Sequence, residues 1–221
     1  IGTYCEQRAL IVLAAGKRVS LPDHRVDGLE FKIDDCQKIF DLPHGFFAVT
    51  AASPDSHRVV IELSLRLSKL SGREITLDVV EQIVEESRIR IEKARIMPRL
   101  EVIFAGRTDS QLRLCVFRES EPTDFNLSPG HVEIGSGTTE AEKFMWTKRQ
   151  QTEKMSLQRT VFHMHKTLLY VRKIEKYVGP PADYLVMNLT SAFEIPSECA
   201  LLGEWLTKFE KDSARRARIQ N

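Results

Sequence analysis

Ala9-Leu10-Ile11-Val12-Leu13-Ala14-Ala15-Gly16-Lys17-Arg18-Val19-Ser20 decides the reading of this chain. An unbroken apolar run ends abruptly in Gly-Lys-Arg, and such a run bounded by turn-forming residues reads as a strand. Gln37-Lys38-Ile39-Phe40-Asp41-Leu42 answers it, with one lysine immediately before an alternating apolar segment. Residues 21–35 lie between the two, rich in Asp, His, Arg and Gly, and read as a polar connection. Two strands therefore frame a site.

The rest of the chain divides into strands and helices in blocks. Ile1 to Cys5 reads as a strand, separated from Ala9 to Ala15 by the polar turn Glu6-Gln7-Arg8. Pro43-His44-Gly45 is a turn by composition, and Phe46 to Ala52 is apolar on both faces, as a strand inside a sheet should be. Ser53-Pro54-Asp55 opens a helix whose face is Val59, Val60, Leu63, Leu67 and Leu70. A second helix follows Thr76, with Leu77, Val80, Ile83, Val84, Ile91 and Ala94 inside and a Glu86–Arg90 pair outside. Leu100 to Ala105 and Gln111 to Phe117 read as strands, and His131 to Ile134 as a short one running into Gly135-Ser136-Gly137. Helices are expected from Thr138, with Phe144, Met145 and Trp146 inside, and from Leu157 to Tyr177, with the stripe Val161, Met164, Leu168, Val171 and Ile174. Asp183 to Leu189 and Ala192 to Pro196 are late strands, and a charged helix spans about 197–219. Two helix pairs of this length need two sheet faces to cover. The expected fold is α+β, a four-layer αββα sandwich with two antiparallel sheets between helix layers, as one domain over 1–221.

Composition narrows the function classes. A 42% hydrophobic and 29% charged chain is ordinary for a globular protein, and a net charge of +1 argues against nucleic-acid or membrane-surface attraction. No apolar run approaches the ~18 residues that span a bilayer. The cysteines, Cys5, Cys36, Cys115 and Cys199, form no C-x-x-C pair and read as inert thiols in a cytoplasmic protein. His163 and His165, two apart on a helix, point to different faces and do not make a metal pair. The first residue is Ile1 rather than Met, and residues upstream of it are expected.

Several stretches, in order, carry a resemblance. They are Ile1-Gly2 opening a strand, Val12 to Ser20, Lys38 to Leu42, Ala48 to Asp55, Ile134-Gly135-Ser136-Gly137, and Gly179-Pro180-Pro181-Ala182-Asp183. The chain resembles the proteasome-type family of N-terminal-nucleophile hydrolases. The resemblance implies the four-layer fold already reached, and a threonine-type peptide or amide hydrolase with no metal or cofactor, acting on a peptide or protein substrate as a homo-oligomer or ring. It implies Lys38 as the lysine that lowers the nucleophile's pKa and the backbone N–H of Ala51 as oxyanion donor. It implies Ser136 beside the nucleophile's amine, Glu175, by its spacing to Val178, as the acid just before the late glycine-containing turn, and substrate contacts at Ser20 and Ala52.

Two parts of the family pattern depart. The carboxylate expected after Ala14-Ala15 is Gly16, so Asp34 or Asp35 is the expected replacement acid. Ile1-Gly2 matches positions after the nucleophile, which places the nucleophile upstream of Ile1; Thr3 lies too near the turn at Glu6 to substitute for it. A non-catalytic structural or scaffold subunit of the same fold is the alternative function.

Overall fold

The computed structural model describes residues 1–16, 19–22, 30–33, 36–51, 54–70, 75–93, 101–108, 110–118, 130–135, 137–146, 154–175, 178, 182–196 and 200–219. The strands are β1 (Gly2–Cys5), β2 (Leu10–Gly16), β3 (Val19–Pro22), β4 (Glu30–Ile33), β5 (Ile39–Leu42), β6 (Phe46–Thr50), β7 (Glu101–Thr108), β8 (Gln111–Arg118), β9 (His131–Val132), β10 (Ala182–Met187) and β11 (Ala192–Ile195). The helices are α1 (Pro54–Leu67), α2 (Leu77–Lys93), α3 (Thr138–Trp146), α4 (Leu157–Ile174) and α5 (Ala200–Ile219).

Two larger antiparallel sheets form, in the orders β11-β10-β2-β1-β9 and β5-β6-β7-β8. β2 lies inside the first: Leu13 is opposite Gly2 on one side and Leu185 on the other. Successive side chains of a strand point to opposite faces, and both faces of β2 are covered. Ile11, Leu13 and Ala15 join Ile103, Leu114 and Val116 of the second sheet in one apolar cluster. Val12 and Ala14 join Val161 and Met164 of α4 and Leu202 of α5 in another. A third cluster packs Val59, Leu63 and Leu67 of α1 and Val80 and Val84 of α2 on Ala48, Phe104 and Phe117. Three clusters thus separate a helix pair, a sheet, a second sheet and a further helix layer.

The β1–β2 turn fastens the first sheet to α4. Glu6, Gln7 and Arg8 have φ of 49, 57 and 67°, the left-handed region, which costs a residue with a Cβ roughly 1–2 kcal/mol. Contacts offset this. Glu6 N–H donates to Met155 O at 2.9 Å, and Leu157 N–H, at the start of α4, donates to Glu6 Oε1 at 3.0 Å. The carboxylate meets the electropositive end of the helix. The Arg8 guanidinium lies 4.9 Å from the Tyr4 ring centroid.

Four expectations are corrected. The segment read as a polar connection contains the ribbon β3–β4, with Val19 opposite Ile33 and Pro22 opposite Glu30; the apolar-polar alternation Val19-Ser20-Leu21 and Phe31-Lys32-Ile33 is its signal. Ile174 is 51% exposed, because it is the last residue of α4 and the chain turns extended at Glu175. The α1 face tightens to a 3-10 turn at Ser68–Leu70 before Leu70 is buried. The ion pairs on the outer helices cross between them: Glu86 pairs with Arg66 and Arg90 with Glu62. Ala94, Leu100 and the side chains of Ile91, Phe144, Met145 and Trp146 lie outside what is described. No helix of the described residues is long and apolar enough to cross a membrane.

Gly106 of β7 shows how closely the second sheet meets its own aromatic core. A Cβ built there would stand 1.7 Å from Cδ1 of Phe46, which is fully buried and stacked on Phe104 at 5.0 Å. Gly106→Ala is expected to destabilise the protein by ~3 kcal/mol and to lower Tm by roughly 6–12 °C in a thermal melt; an unchanged Tm contradicts this packing.

Candidate active site

Lys38 precedes β5 and is tied to the end of β6, where Thr50 N–H donates to Lys38 O at 3.0 Å. Ala51 is the next residue. Its N–H reaches Glu101 O at 3.5 Å, a long contact that leaves the donor weakly engaged. The glycine turn at the edge of the first sheet backs onto it. Gly135 and Gly137 have φ of +86 and +85°, a region open to glycine and strained for other residues. A Cβ at Gly135 would lie 3.1 Å from Ala51 Cβ. A Cβ at Gly137 would lie 2.3 Å from Val171 Cγ1 and 3.2 Å from Glu175 Cγ. Ala51, the turn and the C-terminal end of α4 are therefore continuous in space.

The start of β1 borders the same region. β9 pairs with β1, Gly2 opposite Val132 and Thr3 opposite His131, which brings Glu133 beside Ile1. Ile1 N donates to Ala14 O at 2.9 Å as part of the ladder. Burial lowers the pKa of Lys38 to about 8, with Cys36 acting in the opposite direction. Glu133 is buried and pairs with His131 Nε2 at 3.3 Å.

Of the residues selected from sequence, Ala51 and Glu175 lie against the glycine turn, and Lys38 is bonded to Thr50, the residue before Ala51. Ser136 within that turn, Ala52, Asp34, Asp35, His24 and the Gly179-Pro180-Pro181 stretch lie outside the described residues. Ser20 is in β3, where its backbone pairs with Lys32 of the separate ribbon; its side chain is outside what is described. Gly16 ends β2 opposite Ala182. Thr3 is fully buried, and its hydroxyl is directed to Tyr4 O and Gly130 O, both at 3.2 Å, which closes it as a nucleophile.

Sequence reading missed Glu133, His131, Glu101 and Arg118. In His131-Val132-Glu133-Ile134 the polar positions alternate with apolar ones, a pattern that normally marks a solvent-facing side, yet both polar residues are buried. His165 Nδ1 lies 2.9 Å from Tyr184 OH, away from the turn, and no group of three His, Cys, Asp or Glu among the described residues is placed to hold a metal ion. No family model matches the chain, and no curated protein matches it.

The lowered pKa of Lys38 has a measurable consequence. Between about 8 and 10.5 the unfolded chain binds a proton that the folded one has released, so this group's contribution to stability rises with pH through that window. Below it the full cost of burying the charge is present. Lys38→Met is expected to stabilise the protein at pH 7 by ~1–3 kcal/mol, and the gain should vanish as pH passes 10.5. Urea unfolding at the two pH values checks this; a gain that does not shrink with pH contradicts it.

Proposed function

We propose that this chain is a proteasome-type N-terminal-nucleophile hydrolase subunit, a threonine-type amide hydrolase working on peptides within a homo-oligomer. The observation that carries the reading is the continuity of Ala51, the glycine turn at Gly135 and Gly137, and Glu175 at the end of α4, with Lys38 bonded to Thr50 next to Ala51. These positions are separated by up to 137 residues in sequence.

In this reading a hydroxyl carried just upstream of Ile1 attacks the carbonyl carbon of an amide. Its proton passes to a free α-amine, which is basic enough near neutral pH. The Lys38 ammonium lowers the pKa of the hydroxyl by placing positive charge beside the developing anion. With its own pKa near 8, Lys38 is mostly protonated at pH 7. The oxyanion forms against the Ala51 N–H, whose present 3.5 Å contact is readily exchanged for a shorter one. The C–N bond breaks as the leaving nitrogen takes that proton from the α-ammonium, leaving an ester on the hydroxyl oxygen that water then hydrolyses. The resemblance assigns the orienting of the proton-carrying groups to Ser136 and Glu175, the latter at the end of α4.

A second reading, a non-catalytic scaffold subunit of the same fold, is favoured by Gly16, which supplies no carboxylate for the lysine. One experiment separates the two. The full-length protein with its processed N-terminus is incubated with a peptide epoxyketone and its intact mass is measured. The hydrolase reading expects one stoichiometric adduct, with a labelling rate about 100-fold lower in Lys38→Met. A folded protein that takes no adduct supports the scaffold; equal labelling of Lys38→Met removes the lysine from the mechanism.

A further inference from the structure

One residue of the second sheet touches both sides of the candidate site. Glu101 opens β7, and its backbone oxygen receives the Ala51 N–H at 3.5 Å. Its carboxylate Oε2 accepts the Gly135 N–H at 2.7 Å, across to the edge of the first sheet. Its other oxygen, Oε1, lies 3.4 Å from Nε of Arg118, the residue opposite Glu101 in the β7–β8 pairing. Arg118 Nη2 donates in turn to Glu133 O at 3.2 Å. Glu101 and Arg118 therefore hold the segment Glu133 to Gly135 at two points, with side chains only 24% and 32% exposed.

We infer that Glu101 is the positioning residue of the site: with Arg118 behind it, its carboxylate sets where the Gly135–Gly137 turn stands relative to Ala51. This role is built on the hydrolase reading for its effect on chemistry, while the clamp itself is a property of the fold. Glycine at a positive φ has many alternatives of similar energy, so the turn needs an external restraint to occupy one of them. A backbone N–H bonded to a carboxylate is roughly twice as strong as a neutral pair, and at 2.7 Å it is well formed. The same residue carries Ala51 on its main chain, so the proposed oxyanion donor and the turn bearing Ser136 share one support. A small displacement of such a support is felt in rate before it is felt in binding.

The test has two independent arms. In the wild-type protein, labelled with nitrogen-15 and carbon-13, a through-hydrogen-bond coupling is sought between the Gly135 amide nitrogen and the Glu101 side-chain carboxyl carbon. Its presence, with a downfield Gly135 amide proton, is expected. An absent coupling together with Gly135 exchange at the rate of an open glycine overturns the clamp, and no variant has to fold for that result. In the second arm, Glu101→Gln is expected to move the Gly135 proton upfield and speed its exchange at least about tenfold, while Ile103 and Phe104 amides keep their protection. The maximal rate of epoxyketone labelling is expected to fall about tenfold, with the half-saturating concentration unchanged. Unchanged labelling of Glu101→Gln beside an active wild type overturns the positioning role. A wild type that takes no label overturns the hydrolase reading, and the coupling alone then decides the clamp.

Discussion

The face-to-face packing of two sheets is the constraint on which the other features depend. Strands between two covered faces have no solvent side, so β2 reads Leu-Ile-Val-Leu-Ala-Ala and β6 reads Phe-Phe-Ala-Val-Thr, with Ile11 to Ala15 and Phe46 to Thr50 buried throughout. Once the inner faces are joined through Leu13, Ile103 and Leu114, the outer faces must be covered by helices, and the α1–α2 pair and α4 with α5 do this. Polar groups are pushed to the ends of the strands. One such end gathers Lys38, Ala51 and the glycine turn, and there a strand terminus of each sheet meets the end of a helix.

That arrangement explains why the lysine is unusual. Lys38 stands one residue ahead of a strand with apolar neighbours, and burial draws its pKa down to about 8. A charge held there costs folding free energy, and proteins commonly retain such costs at sites where they serve chemistry. Glu133, beside Ile1 and paired with His131, brings a buried carboxylate to the region from β9.

Much of the layering was legible in the residues. Apolar runs marked β2 and β6, the 3.6-residue spacing of Val59, Leu63 and Leu67 marked the buried face of α1, and glycine with proline marked the breaks. Ala51 and Glu175, both read from the sequence, lie against the two glycines of the turn. What escaped depends on tertiary context. The ribbon β3–β4 is short and sits in a polar segment, so its alternation is weak beside its charge. Glu133 and His131 alternate like exposed residues because strand patterning shows which residues share a face and not what covers it. Glu101 and Arg118 look like ordinary strand-end charges; only the packing of one sheet's edge on the other's end gives the carboxylate a glycine N–H to hold.

This end of the sandwich holds a half-buried lysine, beside the end of β6, whose pKa burial draws down. The most direct test of this is a titration of Lys38 followed by carbon-13 NMR at Cε, with the resonance assigned by its loss in Lys38→Met. A midpoint near 8 is predicted. A midpoint near 10.5, the value of a solvated lysine, would contradict the account.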